Sequence, residues 1–297
     1  MNPQRNPTPA PKNSPSAFSV QRSQAGDDRA IMRLLETGMH VHVHADWSNI
    51  YDWIEQPSSL LLRHSAEIKG YLAATLDPAP VAWVRALGVD LFNPQRALKM
   101  LFNKLRAPLR SQKADRIACV GVMPWLDHEL PQLGFTTQHA LGTMVRQKGA
   151  ITNVPTADVL IRPVDSAEFH AVAAIDQAAF DNPLWWHSAK QLERGAQSAL
   201  QFDVAFDGHY PVGFIYGLKV SRREAHIVRV SVAPSHHGKG IGAALVAHAL
   251  RTYGLQGLHK VSLNTQVSNE AAHRLYRRFG FEMGEKQYTV WEKFLRK

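Results

Sequence analysis

Cysteine and long apolar runs are nearly absent from this chain of 297 residues. The single cysteine, Cys119, excludes a disulfide framework and a cysteine-based zinc cluster. No apolar run approaches the roughly 18 residues of a membrane span, and the first residues lack the apolar segment of a signal peptide. We therefore expect a cytoplasmic protein without membrane association, with Cys119 as a small core residue rather than a nucleophile.

Acidic residues are fewer than basic ones, 25 against 34, which gives a formal charge of +9. Such a balance favours acidic partners. Much of the positive charge lies in residues 93–116, where leucines recur at helical spacing until Pro108, which is expected to kink or end a helix. We interpret this stretch as an amphipathic helix with a solvated basic face. It carries no known nucleic-acid motif and no interleaved aromatics, so nucleic acid is a disfavoured partner.

The two halves of the chain resemble each other in sequence, which indicates an internal repeat. "PQLGF" matches "RRFGF", and "VAWVRALGV" parallels "AHIVRVSV". The break falls in "QKGAITNVPTA", whose Gly, Asn and Pro suit a linker. Residues 1–26 are rich in Pro, Asn, Ser and Gln, which predicts a disordered tail. We expect one domain at residues 27–147, a linker at 148–157 and a second domain at 158–297.

The second half predicts strands and helices that alternate around a mixed α/β sheet. "EAHIVRVSV" is a long strand, and "IGAALVAHALRTYG" is a helix closed by Gly254. "SAEFHAVAAIDQAAF" is a helix for which Ser166 is the expected N-cap. "QFDVAFDGHYPVGFIYGLKV" is a hairpin turning at Asp207-Gly208.

Three glycines, Gly238, Gly240 and Gly242, stand where the strand "VRVSV" gives way to a helix. Glycine allows a tight turn and lets an anion approach bare N–H groups, and a helix start favours a phosphate. This is not a Walker loop, because no Gly-Lys-Ser/Thr closes it, nor a dinucleotide fingerprint, because the connector is long. A plain glycine-rich turn is the alternative interpretation.

The segment resembles the pyrophosphate loop of the GNAT N-acetyltransferases, usually Gln/Arg-x-x-Gly-x-Gly/Ala. His237 stands where Gln or Arg is usual, and Gly240 and Gly242 fill the two small positions. "VSNEAAHRLYRRFGF" is similar to the family's Asn-x-x-Ala…Leu-Tyr-x-x-x-Gly-Phe signature. The resemblance is strong over about residues 158–297 and a degenerate echo over about 28–147. The chain is identified as a tandem-domain member of this superfamily, with two GNAT-like acyl-CoA N-acyltransferase domains.

The resemblance implies acetyl-CoA as the co-substrate and no metal. Main-chain groups of the strand end would pair with the pantetheine, and amides of the glycine loop would cradle the pyrophosphate. Asn269 would form a hydrogen bond with the pantetheine arm, cap the helix that follows it, or do both. The implied cofactor-binding residues are Val230, Ser231, Val232, His237, Gly238, Lys239, Gly240, Ile241, Gly242, Ala243, Asn269 and Tyr276.

The resemblance also implies catalytic residues. Tyr276 stands where relatives often carry the acid that protonates the departing thiolate, although it could instead pack against the sheet. One family position for a general base is Asn264, which cannot accept a proton, and the other is His226. Glu224 is the reserve candidate, and a water chain is the alternative. Strand alternation is expected to place Glu224, His226, Val228 and Val230 on one face.

Trp185, Trp186 and His187 occupy the loop that commonly lines the family's acceptor site. They would form an aromatic wall there, or else a half-buried lid over a small core. In the first half, Phe92, Asn93, Pro94 and Gln95 replace the glycine loop, so no amide cradle is expected.

We expect an enzyme that moves acetyl to a primary amine by direct attack in a ternary complex. The acceptor would be a small molecule or a protein or peptide amine, and neither its identity nor the oligomeric state follows from the sequence. The rival hypothesis is a non-catalytic acyl-CoA-binding or interaction protein.

Overall fold

The structure is a computed structural model that describes residues 18–44, 50–147, 149 and 157–295. Thirteen strands are found in these residues. They are β1 (Phe18–Arg22), β2 (His40–Val43), β3 (Ser59–His64), β4 (Glu67–Thr75), β5 (Val81–Val89), β6 (Arg116–Gly121), β7 (Thr136–Arg146), β8 (Leu160–Pro163), β9 (Gln201–Asp207), β10 (Tyr210–Lys219), β11 (Glu224–Val232), β12 (Lys260–Gln266) and β13 (Glu282–Phe294). The α-helices are α1 (Asp28–Thr37), α2 (Ile50–Trp53), α3 (Gln95–Ser111), α4 (Pro124–Gln132), α5 (Phe169–Ala179), α6 (Ala189–Ser198), α7 (Ile241–Leu255) and α8 (Glu270–Arg277).

All thirteen strands belong to one sheet, in the order β1-β3-β4-β5-β6-β13-β7-β12-β11-β10-β9-β8, and β2 pairs with β5 beside this path. Only the β5·β6 and β11·β12 pairs are parallel. The other pairs are antiparallel. This is the mixed α/β architecture that the sequence predicts, and it places a parallel pair followed by a helix in each half.

The two halves exchange strands at the centre of the sheet. The last strand, β13, pairs with β6 of the first half, so that Val290 lies opposite Val120. Strand β7 of the first half pairs with β12 of the second, so that Val145 lies opposite Ser262. The expected boundary at 148–157 therefore divides the chain without dividing the sheet. Of that linker, residues 148 and 150–156 lie outside the described residues.

Helices cover both faces of the sheet and define the two faces of the second half. On the α7 face, Ala225 and Ile227 of β11 belong to the core formed with α7 and α8. On the α5 face, Val172 and Leu192 from α5 and α6 pack over β9 and β10. A further small cluster joins the halves, where Leu184 packs with Val81, Ala118 and Val290.

The expectation of a disordered tail is wrong for residues 18–22. These residues form β1, which pairs with β3 from Phe18↔His64 to Arg22↔Leu60. Phe18 and Val20 also pack against the first core, whose Cys119 is fully buried. Composition averaged over the tail hides this short alternating segment, which adds to an available sheet edge. Residues 1–17 lie outside the described residues.

Three helix ends differ from their predicted positions. Pro108 lies inside α3, which continues to Ser111. Ser166 is not an N-cap but begins a 3-10 turn, Ser166–Glu168, that leads into α5. The N-cap of this turn is Asp165, whose carboxylate accepts the Ala167 N–H at 2.9 Å. Helix α7 runs past Gly254, and the chain turns instead at Gly257, whose φ is +75°. Local composition indicates such ends only to within a few residues.

Candidate active site

Strands β11 and β12 form a cleft because they pair over only part of their lengths. Their parallel ladder runs from Glu224↔Lys260 to Ile227↔Leu263 and ends there. On the other side of β11 a β-bulge leaves Val228 without an opposite residue in β10. Residues 229–232 pair with β10, and residues 228–232 pair with no described strand on the side facing β12. That side presents main-chain hydrogen-bonding groups that no described strand pairs with, and of these the Val232 carbonyl accepts from His237.

The bulge also changes which side chains share a face. The expected alternation holds for Glu224 and His226 but is wrong for Val230. Val230 packs into the α7 core together with Ile227. Arg229 and Ser231 instead lie on the α5 face, where both bond the carboxylate of a residue in α5. One extra residue in a strand moves every following side chain to the opposite face of the sheet from the one that simple alternation predicts.

The glycine loop turns directly into the start of α7. Gly238 and Gly240 have φ values of +78° and +81°, in the region that favours glycine. Gly240 is the N-cap of α7, and among the described residues no side chain caps the start of this helix. The N-terminal amides of α7, beginning at Ile241, are therefore not capped by a side chain and are suited to an anion.

The strand end, the loop and α8 converge at this helix start. A Cβ placed on Gly242 would lie 3.5 Å from Leu275 Cδ2 and 3.8 Å from Val232 Cγ2, which is ordinary contact. His237 Nε2 lies 2.8 Å from the Val232 carbonyl, to which it donates, and so ties the loop to β11. Lys239 is exposed at the turn.

Three arginines that the sequence analysis did not single out lie along α8 and at its end, on the helix whose Leu275 approaches Gly242. Arg274, Arg277 and Arg278 line a shallow surface hollow with Leu275 of α8. Their spacing of three and four residues on one helix was the available signal. Together with the bare amides, they make this end of the cleft fit a phosphate-bearing ligand.

Asn269 and Tyr276 lie at the two ends of α8. Asn269 Oδ1 accepts the Ala272 N–H at 3.0 Å, so Asn269 caps the helix. Tyr276 is 8% exposed, and its ring centroid lies 5.7 Å from that of Phe281. Burial raises the pKa of Tyr276 to about 12, although the charge of Arg229 acts in the opposite direction. The phenol therefore keeps its proton at neutral pH.

The base candidates lie at the closed end of the cleft. His226 Nδ1 is 2.9 Å from Ser262 Oγ on β12, and burial lowers the pKa of His226 below its ordinary value. Glu224 lies further from the opening and pairs with Lys260 at 2.6 Å. Asn264 accepts a hydrogen bond from the Thr143 hydroxyl at 2.8 Å, across the exchanged strands. Of the two base candidates, His226 is the nearer to the point where the strands part.

A buried carboxylate that the sequence analysis missed lies on the α5 face. Asp176 is fully buried, and its two oxygens accept from Arg229 at 2.6 Å and 2.9 Å. Burial alone would raise the pKa of Asp176, but the charges of Arg229 and His187 hold it well below its ordinary value. Its signal in the sequence was one acid among the buried positions of an apolar helix.

The aromatic loop before α6 is tied to this carboxylate. The His187 N–H donates to Asp176 at 2.9 Å, and the Trp186 indole donates to the Phe180 carbonyl at 2.7 Å. Trp185 packs onto the small cluster that joins the halves and lies edge-on to His139 at 5.7 Å. The structure thus arranges these side chains as a half-buried lid. Acceptor contact by Trp185, Trp186 and His187 remains a prediction.

The corresponding cleft of the first half is filled by the chain itself. Strands β5 and β6 pair only from Val81↔Arg116 to Trp83↔Ala118. Beyond that point, β2 pairs along β5 from His40↔Val89 to Val43↔Ala86. The N-cap of α3 is Pro94, which has no N–H. This arrangement supports the expectation that the first half has no working cofactor loop.

Comparison with known proteins agrees with this geometry. The model of the acetyltransferase (GNAT) family matches residues 167–281, which include the cleft, the glycine loop and α8. The C-terminal half of the chain is therefore similar to the GNAT family. Within the described residues of the chain, no group of three or more His, Cys, Asp or Glu side chains is placed to hold a metal ion. The described helices are each too short or too polar to cross a bilayer.

Individual relatives are similar over part or all of the chain. N-acetyltransferase 8F1 of Rattus norvegicus is 35% identical over 96 residues, which is 30% of this chain and 43% of the relative. The chain spans between 38% and 54% of the length of the curated relatives it matches.

Two solved structures resemble the fold of nearly the whole chain. A GCN5-related N-acetyltransferase from Sphaerobacter thermophilus has a TM-score of 0.61 at 18% identity, over 94% of this chain and 96% of that one. A tandem GNAT protein from the clavulanic acid biosynthesis pathway has a TM-score of 0.58 at 15% identity, over 95% of this chain and 99% of that one. The tandem GNAT fold therefore covers both halves.

Proposed function

We propose that this protein transfers an acetyl group from acetyl-CoA to a primary amine, by direct attack in a ternary complex. The observation that carries the proposal is the free edge of β11 at residues 228–232, which leads directly into the glycine turn and the uncapped start of α7. An extended pantetheine arm can pair with such an edge as an added strand does. The pyrophosphate then meets the helix amides.

The fit extends to the residues around the cleft. Val230 would offer its main-chain groups and Val232 its N–H, since the Val232 carbonyl already accepts from His237. The amides of residues 238–243 would hold the pyrophosphate. The α8 arginines would add positive charge near the phosphates. When bound, acetyl-CoA supplies a thioester whose acyl carbon can accept an amine nitrogen.

Two side chains of this protein are suited to move protons. An ammonium cannot attack a thioester, so a base must remove a proton from the amine. His226 has a pKa lowered by burial and is neutral at pH 7, which lets it accept that proton directly or through water. Tyr276, with a pKa raised to about 12, holds a proton that it can donate to a departing thiolate.

The acceptor would enter on the α5 face. There His226, Ser262, Asn264 and Thr143 form a polar floor, with Thr143 supplied by the first half. The first half would thus complete the acceptor site and not bind a second cofactor. A small-molecule amine and a protein or peptide amine both remain within the proposal.

The test is release of free thiol from acetyl-CoA by the full chain, with a panel of primary amines that includes polyamines, aminoglycosides and peptides with free N-termini. Amine-dependent release, with an acetylated product detected by mass spectrometry, is the expected result. Binding of CoA with no amine-dependent release in any member of the panel would favour a non-catalytic acyl-CoA-binding protein.

A further inference from the structure

One carboxylate holds three separate segments of the second half together. Asp176 of α5 accepts from the Arg229 guanidinium, from Ser231 Oγ at 2.8 Å and from the His187 N–H at 2.9 Å. Arg229 and Ser231 flank Val230 on the free edge of β11. His187 ends the aromatic loop. The cofactor edge and that loop therefore share a single buried anchor.

Arg229 strengthens the link between the edge and the loop. Its guanidinium donates to the Trp185 carbonyl as well as to Asp176, and it lies 3.9 Å from the centroid of the Phe180 ring. Residues from both ends of the loop thus touch one side chain of β11. A buried ion pair is costly to break because each charge is then left unpaired. The loop is accordingly fixed against α5 and Arg229.

The corresponding loop of the first half takes a different course. Between α1 and α2 the chain forms β2, which fills the edge of β5. The buried residues of α1 are Ile31 and Leu34, so that helix brings no buried carboxylate to the sheet. Arg85 occupies in β5 the place that Arg229 has in β11, and its Nε donates to Thr75 Oγ1 at 2.6 Å. Where the anchoring carboxylate is missing, the loop lies along the strand edge.

We propose that Asp176 is a positioning residue that keeps the cofactor cleft open. By holding residues 180–187 against α5 and Arg229, it keeps this loop off the 228–232 edge and leaves that edge to the pantetheine. The proposal rests on the proposed function in one respect, which is that acetyl-CoA is the ligand of the edge. The position of the loop itself does not depend on that assignment.

The test compares Asp176→Asn with wild type in the full chain, by calorimetric titration with CoA and by hydrogen exchange of peptides covering residues 180–188. We expect the Kd for CoA to rise by about tenfold or more, and exchange of the 180–188 segment to become faster. The matched control is Asp203→Asn. Asp203 is also buried, but it bonds His248 at 3.0 Å on the α7 face, away from the loop.

Asp203→Asn should lower the melting temperature while leaving the CoA Kd within about twofold and the exchange of 180–188 unchanged. A milder variant, Arg229→Lys, keeps the positive charge but loses the two-pronged contact, and should still speed exchange of that segment. Asp176→Asn with wild-type CoA affinity and wild-type exchange would overturn the proposal. If Asp176→Asn does not fold, unchanged exchange in Arg229→Lys overturns it. Failure of the wild type to bind CoA would instead overturn the proposed function, and the exchange result would still test the anchor.

Discussion

The Thr143 hydroxyl donates to Asn264 Oδ1 at 2.8 Å, although 121 residues separate the two in the chain. The contact exists because β7 of the first half pairs with β12 of the second. Strand β13 makes the reciprocal crossing to β6. The candidate acceptor floor is thus built from both halves, and neither half contains a complete sheet.

The strand exchange predicts that the second half alone does not bind CoA. In a fragment of residues 158–297, the edge of β12 lacks its partner β7. Such an open edge promotes aggregation, so we expect this fragment to aggregate and not to bind CoA. A fragment of residues 136–297 restores β7 and is the matched control. Gel filtration and CoA titration of the two fragments check this. A monomeric 158–297 fragment with full-chain affinity for CoA would show that β7 is dispensable.

Tyr276→Phe should lower turnover by roughly 10²–10⁴-fold with little change in the CoA Kd, because it removes a proton donor without removing the ring. Tyr253→Phe is the control. Tyr253 is a buried tyrosine of α7 whose hydroxyl has no hydrogen-bond partner among the described residues. Its loss should leave turnover unchanged. Full turnover in Tyr276→Phe would reduce Tyr276 to its packing contact with Phe281.

His226 predicts a rise of kcat/KM with pH whose midpoint lies below the ordinary histidine value of about 6.5. The sign follows from burial, which disfavours the protonated imidazole and lowers its pKa. The rate is therefore lost as pH falls through that lowered value and is level at pH 7 and above. His226→Gln should abolish this limb. Glu224→Gln, which only breaks the pair with Lys260, should leave it in place.

An unchanged pH profile in His226→Gln would remove His226 as the base. If Glu224→Gln then abolished the rise of kcat/KM with pH, Glu224 would be the general base. If both variants keep the wild-type profile, a water-mediated route remains.

Much of the fold follows from local sequence patterns, and the central sheet order does not. "EAHIVRVSV" predicts β11 at its observed bounds, since alternation and turn signals are local. The exchange of β7 and β13 depends on which edges meet in space, and no local pattern distinguishes one antiparallel partner from another. The bulge at Val228 was missed for the same reason, and with it the α5-face position of Arg229.

The candidate site divides in a similar way. The glycine turn was visible in the sequence because a φ near +80° requires glycine at Gly238 and Gly240. Asp176 was not, because a single acid in an apolar helix gives no information about its partners. The filling of the first cleft by β2 was also hidden, since "HVHV" is too short a segment to assign to an edge.

Gly240→Asp should weaken CoA binding by about tenfold or more, because it places a negative charge at the start of α7 and forces a φ of +81° on a residue with a Cβ. Gly254→Ala is the control. Gly254 lies inside α7, and apart from its own helix no atom of the described residues lies within 4 Å of an added Cβ, so alanine there should stabilise the helix slightly. Equal CoA affinity in both variants would show that the glycine turn does not bind the cofactor.

The most direct measurement is the stoichiometry of CoA binding to the full chain by calorimetry. The open edge of β11 and the filled edge of β5 together predict one CoA per chain. Two CoA molecules per chain would contradict the assignment of β2 as an occupant of the first cleft. No binding at all would contradict the central claim that the β11 edge and the glycine turn form a cofactor site.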